Sequence, residues 1–139
     1  MGMVHALQQT HRILNSNGWL VNVFDLPTPH VIEVHLHETV HKVGWLLDRE
    51  DFNNTRSALN ALTQVVEDQV FNLEDEQDFS YNIYADNLLE FQAWLSEWWE
   101  SAILTDRIIL RLEGLIRDAG KSARIVLALR ARMTKLRAA

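Results

Sequence analysis

The chain has 139 residues, 47% apolar and 23% charged, which suits one folded domain spanning 1–139 and excludes intrinsic disorder. It contains no cysteine, which excludes disulfides, thiolate nucleophiles and cysteine-held metals. The net charge of −6 is unevenly spread. Residues 1–56 carry 4 Lys/Arg and 6 Asp/Glu, and residues 57–106 carry 11 Asp/Glu and no Lys or Arg. Residues 107–139 carry 9 Lys/Arg against Glu113 and Asp118. The basic residues sit inside apolar periodic segments, not in a free tail. The split therefore predicts a basic end lying beside the acidic middle, not an arm for nucleic acid.

In chain order, Val4 to Leu14 reads as a helix, with Leu7, His11 and Leu14 on one stripe. Asn15-Ser16-Asn17-Gly18 reads as a turn, with Gly18 taking the positive φ. Trp19 to Phe24 is apolar on both faces except at Asn22, the pattern of a central strand covered on both sides. Pro27 and Pro29 end it, because each removes a ladder donor. Residues 31–37 then alternate. Ile32, Val34 and Leu36 face one way, and Glu33, His35 and His37 face the other. Val43, Trp45 and Leu47 alternate again, so 31–47 reads as a hairpin, although Leu36, Val40, Val43 and Leu47 also fit a helix face.

Asn54 to Val70 reads as a helix with Leu59, Leu62, Val66 and Val70 on one face and Asn53 or Asn54 as its cap. Glu74-Asp75-Glu76-Gln77-Asp78 reads as a solvated turn, followed by a strand with alternating Phe79, Tyr81 and Ile83. Asn87 to Ala102 reads as a helix with Leu88, Phe91, Leu95, Trp98 and Ala102 at helical spacing. Phe91, Leu95 and Trp98 are expected in the core, and at least one of Trp94 and Trp99, off that stripe, is a candidate for an oligomer interface or a ligand contact. Asp106 to Ala119 is a second helix with Ile109, Leu112 and Ile116, and Gly120 is its C-cap. Ala123 to Met133 is a strand that turns polar at its end, with Arg130 and Arg132 opposite Ile125, Leu127, Leu129 and Met133. This order predicts an α+β fold, a mixed sheet with helices packed on it.

Few residues carry a recognisable chemistry. Glu33, His35 and His37 share one strand face, a weak candidate set for zinc or another divalent ion. The same pattern fits a polar solvent-facing strand. No Gly-x-Ser-x-Gly turn supports a serine nucleophile. Gly2, Gly18, Gly44, Gly114 and Gly120 never cluster, so neither a dinucleotide loop nor a P-loop can be written. No apolar run reaches the roughly 18 residues of a membrane span. Met1 to His11 lacks the basic start and apolar stretch of a secretory signal, so a cytoplasmic location is expected.

The stretch Leu7 to Asp25 places Arg12-Ile13-Leu14 before Asn15-Ser16-Asn17-Gly18 and the apolar run Trp19 to Phe24. It resembles the helix, turn and fifth strand of class I S-adenosylmethionine-dependent methyltransferases. There, Arg-apolar-Leu precedes Lys-Pro-Gly-Gly and an apolar strand. Arg12, Leu14 and Gly18 fit; two consensus residues of the turn are replaced. Gly44-Trp45-Leu46, Trp98-Trp99 and Leu136-Arg137 are similar to features in the C-terminal region of some members. The resemblance covers nearly the whole chain.

It implies the back half of a methyltransferase fold, partial α/β in class, without the cofactor-binding first half. No cofactor residue carries over. S-adenosylmethionine is the family's cofactor, and none is expected on the isolated chain. In the full fold a fourth strand flanks the fifth, so an apolar edge at Trp19 to Phe24 would be bare here. The resemblance thus implies a homodimer or a domain-completing partner along that edge. By the rule that open α/β sheets bind ligands at the C-terminal ends of strands, Asp25 and His30 are the ligand-binding candidates, for hydrogen bonding or proton transfer. The expected function is a methyltransferase-related domain, non-catalytic alone and self-associating. The alternatives are one component of a split methyltransferase, or a metal- or nucleic-acid-binding module.

Overall fold

Apolar periodicity divides the chain into alternating helical and extended segments, and the computed structural model describes them for residues 2–139, except for the side chain of Lys121. The elements are α1 (Met3–Ile13), β1 (Trp19–Asp25), β2 (His30–Leu36), β3 (Thr39–Asp48), α2 (Asn53–Glu67), β4 (Phe71–Ala85), α3 (Leu88–Trp98), β5 (Ala102–Ile103), α4 (Asp106–Ala119) and β6 (Ala123–Ala138). Among the described residues the fold is α+β, with four α-helices and six strands. Hydrogen bonding orders the strands β1-β6-β2-β3-β5, and β4 also pairs with β6. The pairing is antiparallel, which corrects the expectation of a mixed sheet. A tight hairpin joins β2 to β3, the short segment 26–29 joins β1 to β2, and a helix lies between each later pair of consecutive strands. Among the described residues, no helix is long and apolar enough to cross a membrane.

The chain forms two compact units. The first comprises residues 1–27, 52–79 and 130–139. Its core joins Leu7 of α1, Ala61, Leu62 and Val65 of α2, Phe71 of β4, and Leu136 and Ala138 of β6. Leu20 and Phe24 of β1 pack on this cluster. The spacing of Ala61, Leu62 and Val65 puts them on one side of α2, as an amphipathic helix on a sheet requires. The expected asparagine cap of α2 is absent. Its N-cap is Phe52, in the left-handed region at φ 56°, and makes no side-chain cap among the described residues. Phe52 is instead buried.

The turn before β1 also departs from expectation. Asn17 takes the positive φ of 64°. Gly18 is required for a different reason. A Cβ there would lie 2.9 Å from the Asn15 carbonyl oxygen, which accepts from the Gly18 N–H at 2.8 Å.

The second unit comprises residues 28–51 and 80–129. Ile32, Val34, Val43 and Leu46 of the β2–β3 hairpin pack with Phe91 and Leu95 of α3, Ile108 and Leu112 of α4, and Ile125, Leu127 and Leu129 of β6. The alternation of Ile32, Val34 and Leu36 thus marks a core-facing strand, and 31–47 is a hairpin as expected. A register shift between Ile32 and Glu33 leaves Val43 without an opposite residue, a β-bulge. The Val43 carbonyl accepts from Arg111 Nη1 at 2.7 Å. Asn87 caps α3 by accepting from the Glu90 N–H at 2.8 Å, while the Glu90 carboxylate reaches back to the Asp86 N–H at 2.9 Å. Thr105 caps α4, and Gly120 ends it at φ 67°.

Helix α3 stops at Trp98, short of the expected Ala102, which instead begins β5. That shift corrects the expected core position of Trp98. Trp98 is 69% exposed, whereas Trp94 and Trp99 pack against the core. The Trp99 indole N–H donates to Asp48 at 3.2 Å.

Candidate interaction surface

The acidic run 74–78 lies inside β4 and is not a turn. Acidic residues are poor strand formers, so something must offset their cost. The basic C-terminal half of β6 does so. Arg132 donates to both oxygens of Asp78, at 2.7 and 3.2 Å. Arg137 donates to Glu74 Oε1 at 2.6 and 2.9 Å, and Lys135 lies 3.2 Å from Glu74 Oε2. The Arg137 hydrogen bond holds the Glu74 carboxyl below its ordinary range, and Arg132 does the same for Asp78. Asp78 in turn raises the Arg132 guanidinium. The basic end therefore lies beside the acidic middle, as the charge split predicts. These pairs extend β6 to Ala138, past the expected end at Met133.

Beside this ladder lies β1. It pairs with β6 from Trp19↔Arg137 to Asp25↔Ala131, and among the described residues it has no second strand neighbour. Its side chains alternate. Leu20 and Phe24 face the helices, while Trp19, Val21 and Val23 are 55%, 53% and 54% exposed. The reading of β1 as a strand covered on both sides is thus corrected. Both faces are apolar, but only one is buried. Cations hold the exposed indole in place. Lys135 Nζ sits 3.7 Å from the Trp19 ring centroid, and the Arg137 guanidinium 4.9 Å away. At the middle of the strand, Asn22 Nδ2 is buried without a hydrogen-bond partner among the described residues.

Asp25 ends β1 in the first unit, and His30 begins β2 in the second. His30 is buried and meets Trp99 edge-on at 5.4 Å. Glu33 and His35 do meet, with Oε1 and Nε2 3.2 Å apart. His37 does not join them. It leaves the strand at φ 47° and begins the hairpin turn, so the alternation that placed it beside His35 ends at Leu36. Among the described residues, no three His, Asp or Glu side chains converge as a metal site would need. His35 instead meets Tyr84 edge-on at 6.2 Å, and Arg124, its partner on β6, stacks over the same Tyr84 ring.

A cavity of about 340 Å³ in the first unit opens between α2 and the strands, lined by Leu59, Thr63, Val66, Leu73, Arg132 and Thr134. The arginine on its wall is the one bonded to Asp78. The sequence alone assigns no site role to Asn22, Glu74, Lys135 or Arg137. Asn22 was visible as the lone polar residue in an apolar run, and the others as the opposed charge blocks. Scanned against protein-family models and against curated proteins, the chain matches none.

Proposed function

We propose that this chain is a non-catalytic interaction module that self-associates through β1. The observation that carries this reading is the free edge of β1, with Trp19, Val21 and Val23 each more than half exposed on one face. Single exposed apolar residues are ordinary on a protein surface. Three in alternation beside unpaired backbone form a template for another strand. The resemblance of Arg12 to Asp25 to the methyltransferase signature supports descent from the back half of that fold. In that family the corresponding strand has a neighbour on the edge that, among the described residues, is open here.

Sedimentation velocity over a range of concentrations tests the reading. A concentration-dependent dimer is expected, and a monodisperse monomer throughout would overturn it. The same free edge also favours a second reading, a split methyltransferase in which a separate cofactor-binding polypeptide docks on β1. Calorimetry with S-adenosylmethionine separates the two. The isolated chain is expected to bind none. Tight binding by the chain alone overturns the non-catalytic reading, and binding only once a partner is added favours the split enzyme.

A further inference from the structure

We infer that two copies of this chain pair antiparallel along β1 about a two-fold axis at Asn22, an inference that rests on β1 being the self-association surface. The direction of the backbone comes first. The Leu26 N–H donates to the Arg130 carbonyl at 2.8 Å, and the Ala138 N–H donates to the Gly18 carbonyl at 2.9 Å. Both bonds lie in the same antiparallel register as the strand between them. In such a ladder, hydrogen-bonded residues alternate with non-bonded ones. The even-numbered residues of β1 therefore turn their peptide groups to β6. Trp19, Val21, Val23 and Asp25 turn theirs to the open edge.

A second β1 strand can use those groups. With the axis at Asn22, Val21 meets the copy's Val23 and Trp19 meets the copy's Asp25, each as a hydrogen-bonded pair. On the other face, Leu20 meets Phe24. The strand is nearly palindromic in character about its centre, as an isologous contact requires. The ends are complementary in charge as well. The carboxylate of the copy's Asp25 arrives at Trp19, over which Lys135 is seated at 3.7 Å.

Asn22 selects this register. On the axis it faces its own copy across a non-hydrogen-bonded pair, where Cα atoms approach to about 4.5 Å and side chains lie closest. A side-chain rotation there lets each amide N–H donate to the other's carbonyl, relieving the buried Nδ2 that lacks a partner in the single chain. Moving the axis to Val21 or Val23 sets the amide against Leu20 or Phe24 and leaves that donor unpaired.

A cysteine scan reads the register directly, because the chain has no thiol of its own. Val21→Cys and Val23→Cys chains, which keep Asn22, are oxidised under mild conditions separately and as an equimolar mixture, and followed by non-reducing electrophoresis. With the axis at Asn22, residue 21 faces residue 23 of the copy at a separation a disulfide can bridge, whereas residues 21 and 23 lie diagonal to their own copies, about 7–8 Å apart. The mixed 21–23 disulfide is expected to form at least about tenfold faster than either symmetric one. A symmetric disulfide at 21 or 23 that forms faster overturns the register while leaving self-association standing. No cross-linking in any sample overturns the register, and with the unmodified chain monomeric in sedimentation it overturns both.

Val23→Pro supplies an independent check. Its N–H points away from β6, so the substitution keeps the intrachain ladder and removes only an edge donor. Folding is confirmed by circular dichroism, and the dimer dissociation constant is expected to rise at least about tenfold. An unchanged constant overturns the proposal.

Discussion

β1 and β2 hydrogen-bond to the same strand, and their fates differ. β2 lies between β6 and β3, and its Ile32 and Val34 are fully buried under α3 and α4. Among the described residues β1 has β6 on one side only, and its Trp19, Val21 and Val23 stand in the open. The sequences give little hint of this. β1 is the more continuously apolar of the two, and apolar continuity ordinarily marks the covered strand. The lesson is that composition along a strand reports which surfaces want cover, not which have it within one chain.

The largest effect should come from breaking the buried side of the comparison. Ile32→Ala is expected to destabilise the fold by about 2–5 kcal/mol in urea titration, because a fully enclosed side chain leaves a cavity. Val21→Ala on β1 should change the unfolding of the monomer by no more than about 0.5 kcal/mol. Equal costs at the two positions would mean that β1 is covered in the monomer. Next in size is Gly18→Ala, at the entry to β1. The new Cβ would lie 2.9 Å from a backbone oxygen, so the turn must move, at a cost of about 1–3 kcal/mol.

The fold was legible where the signal was local and periodic. α4 was bounded at Asp106 and Ala119 from its apolar spacing and the glycine that follows it. The hairpin followed from two alternating runs, and the element order emerged whole apart from the two-residue β5. The misses share a cause, since each depended on what stood opposite. Asp and Glu at 74–78 argue for a turn until Arg132, Lys135 and Arg137 of β6 lie across from them. Trp98 fits the stripe of α3, but the helix ends there and the chain turns Trp99 inward to Asp48. His37 alternates with His35 until the hairpin bends. Of the candidate site, the apolar edge at Trp19 to Phe24 was expected. The buried amide of Asn22 and the cations on Trp19 require strand pairing that sequence spacing does not encode.

A smaller effect sharpens the comparison from the helix side. α3 in the second unit has a side-chain cap at Asn87, and α2 in the first has none among the described residues. Asn87→Ala should cost about 1 kcal/mol by orphaning the Glu90 N–H. Thermal denaturation would check this, with Asn53→Ala as a control expected to change little.

The smallest effect concerns the charge ladder on β4 and β6, and its sign follows from the direction of the shifts. Glu74 and Asp78 are held below their ordinary values of 4.5 and 3.8 by hydrogen bonds from Arg137 and Arg132. A carboxyl with a lowered folded-state value contributes stability that is present above its unfolded value. That contribution is lost as the pH falls through the folded one. Urea midpoints should therefore be level above about pH 6 and decline through the ordinary carboxylate range near about 4 and below. Both groups are open to solvent, so the decline should be shallow and should weaken further in high salt. Arg132→Gln and Arg137→Gln should each flatten it by removing the group that holds the carboxyl down. A decline that is unchanged in the double variant would assign the acid sensitivity to other carboxylates. It would also leave the strand character of residues 74–78 without the compensation argued for it.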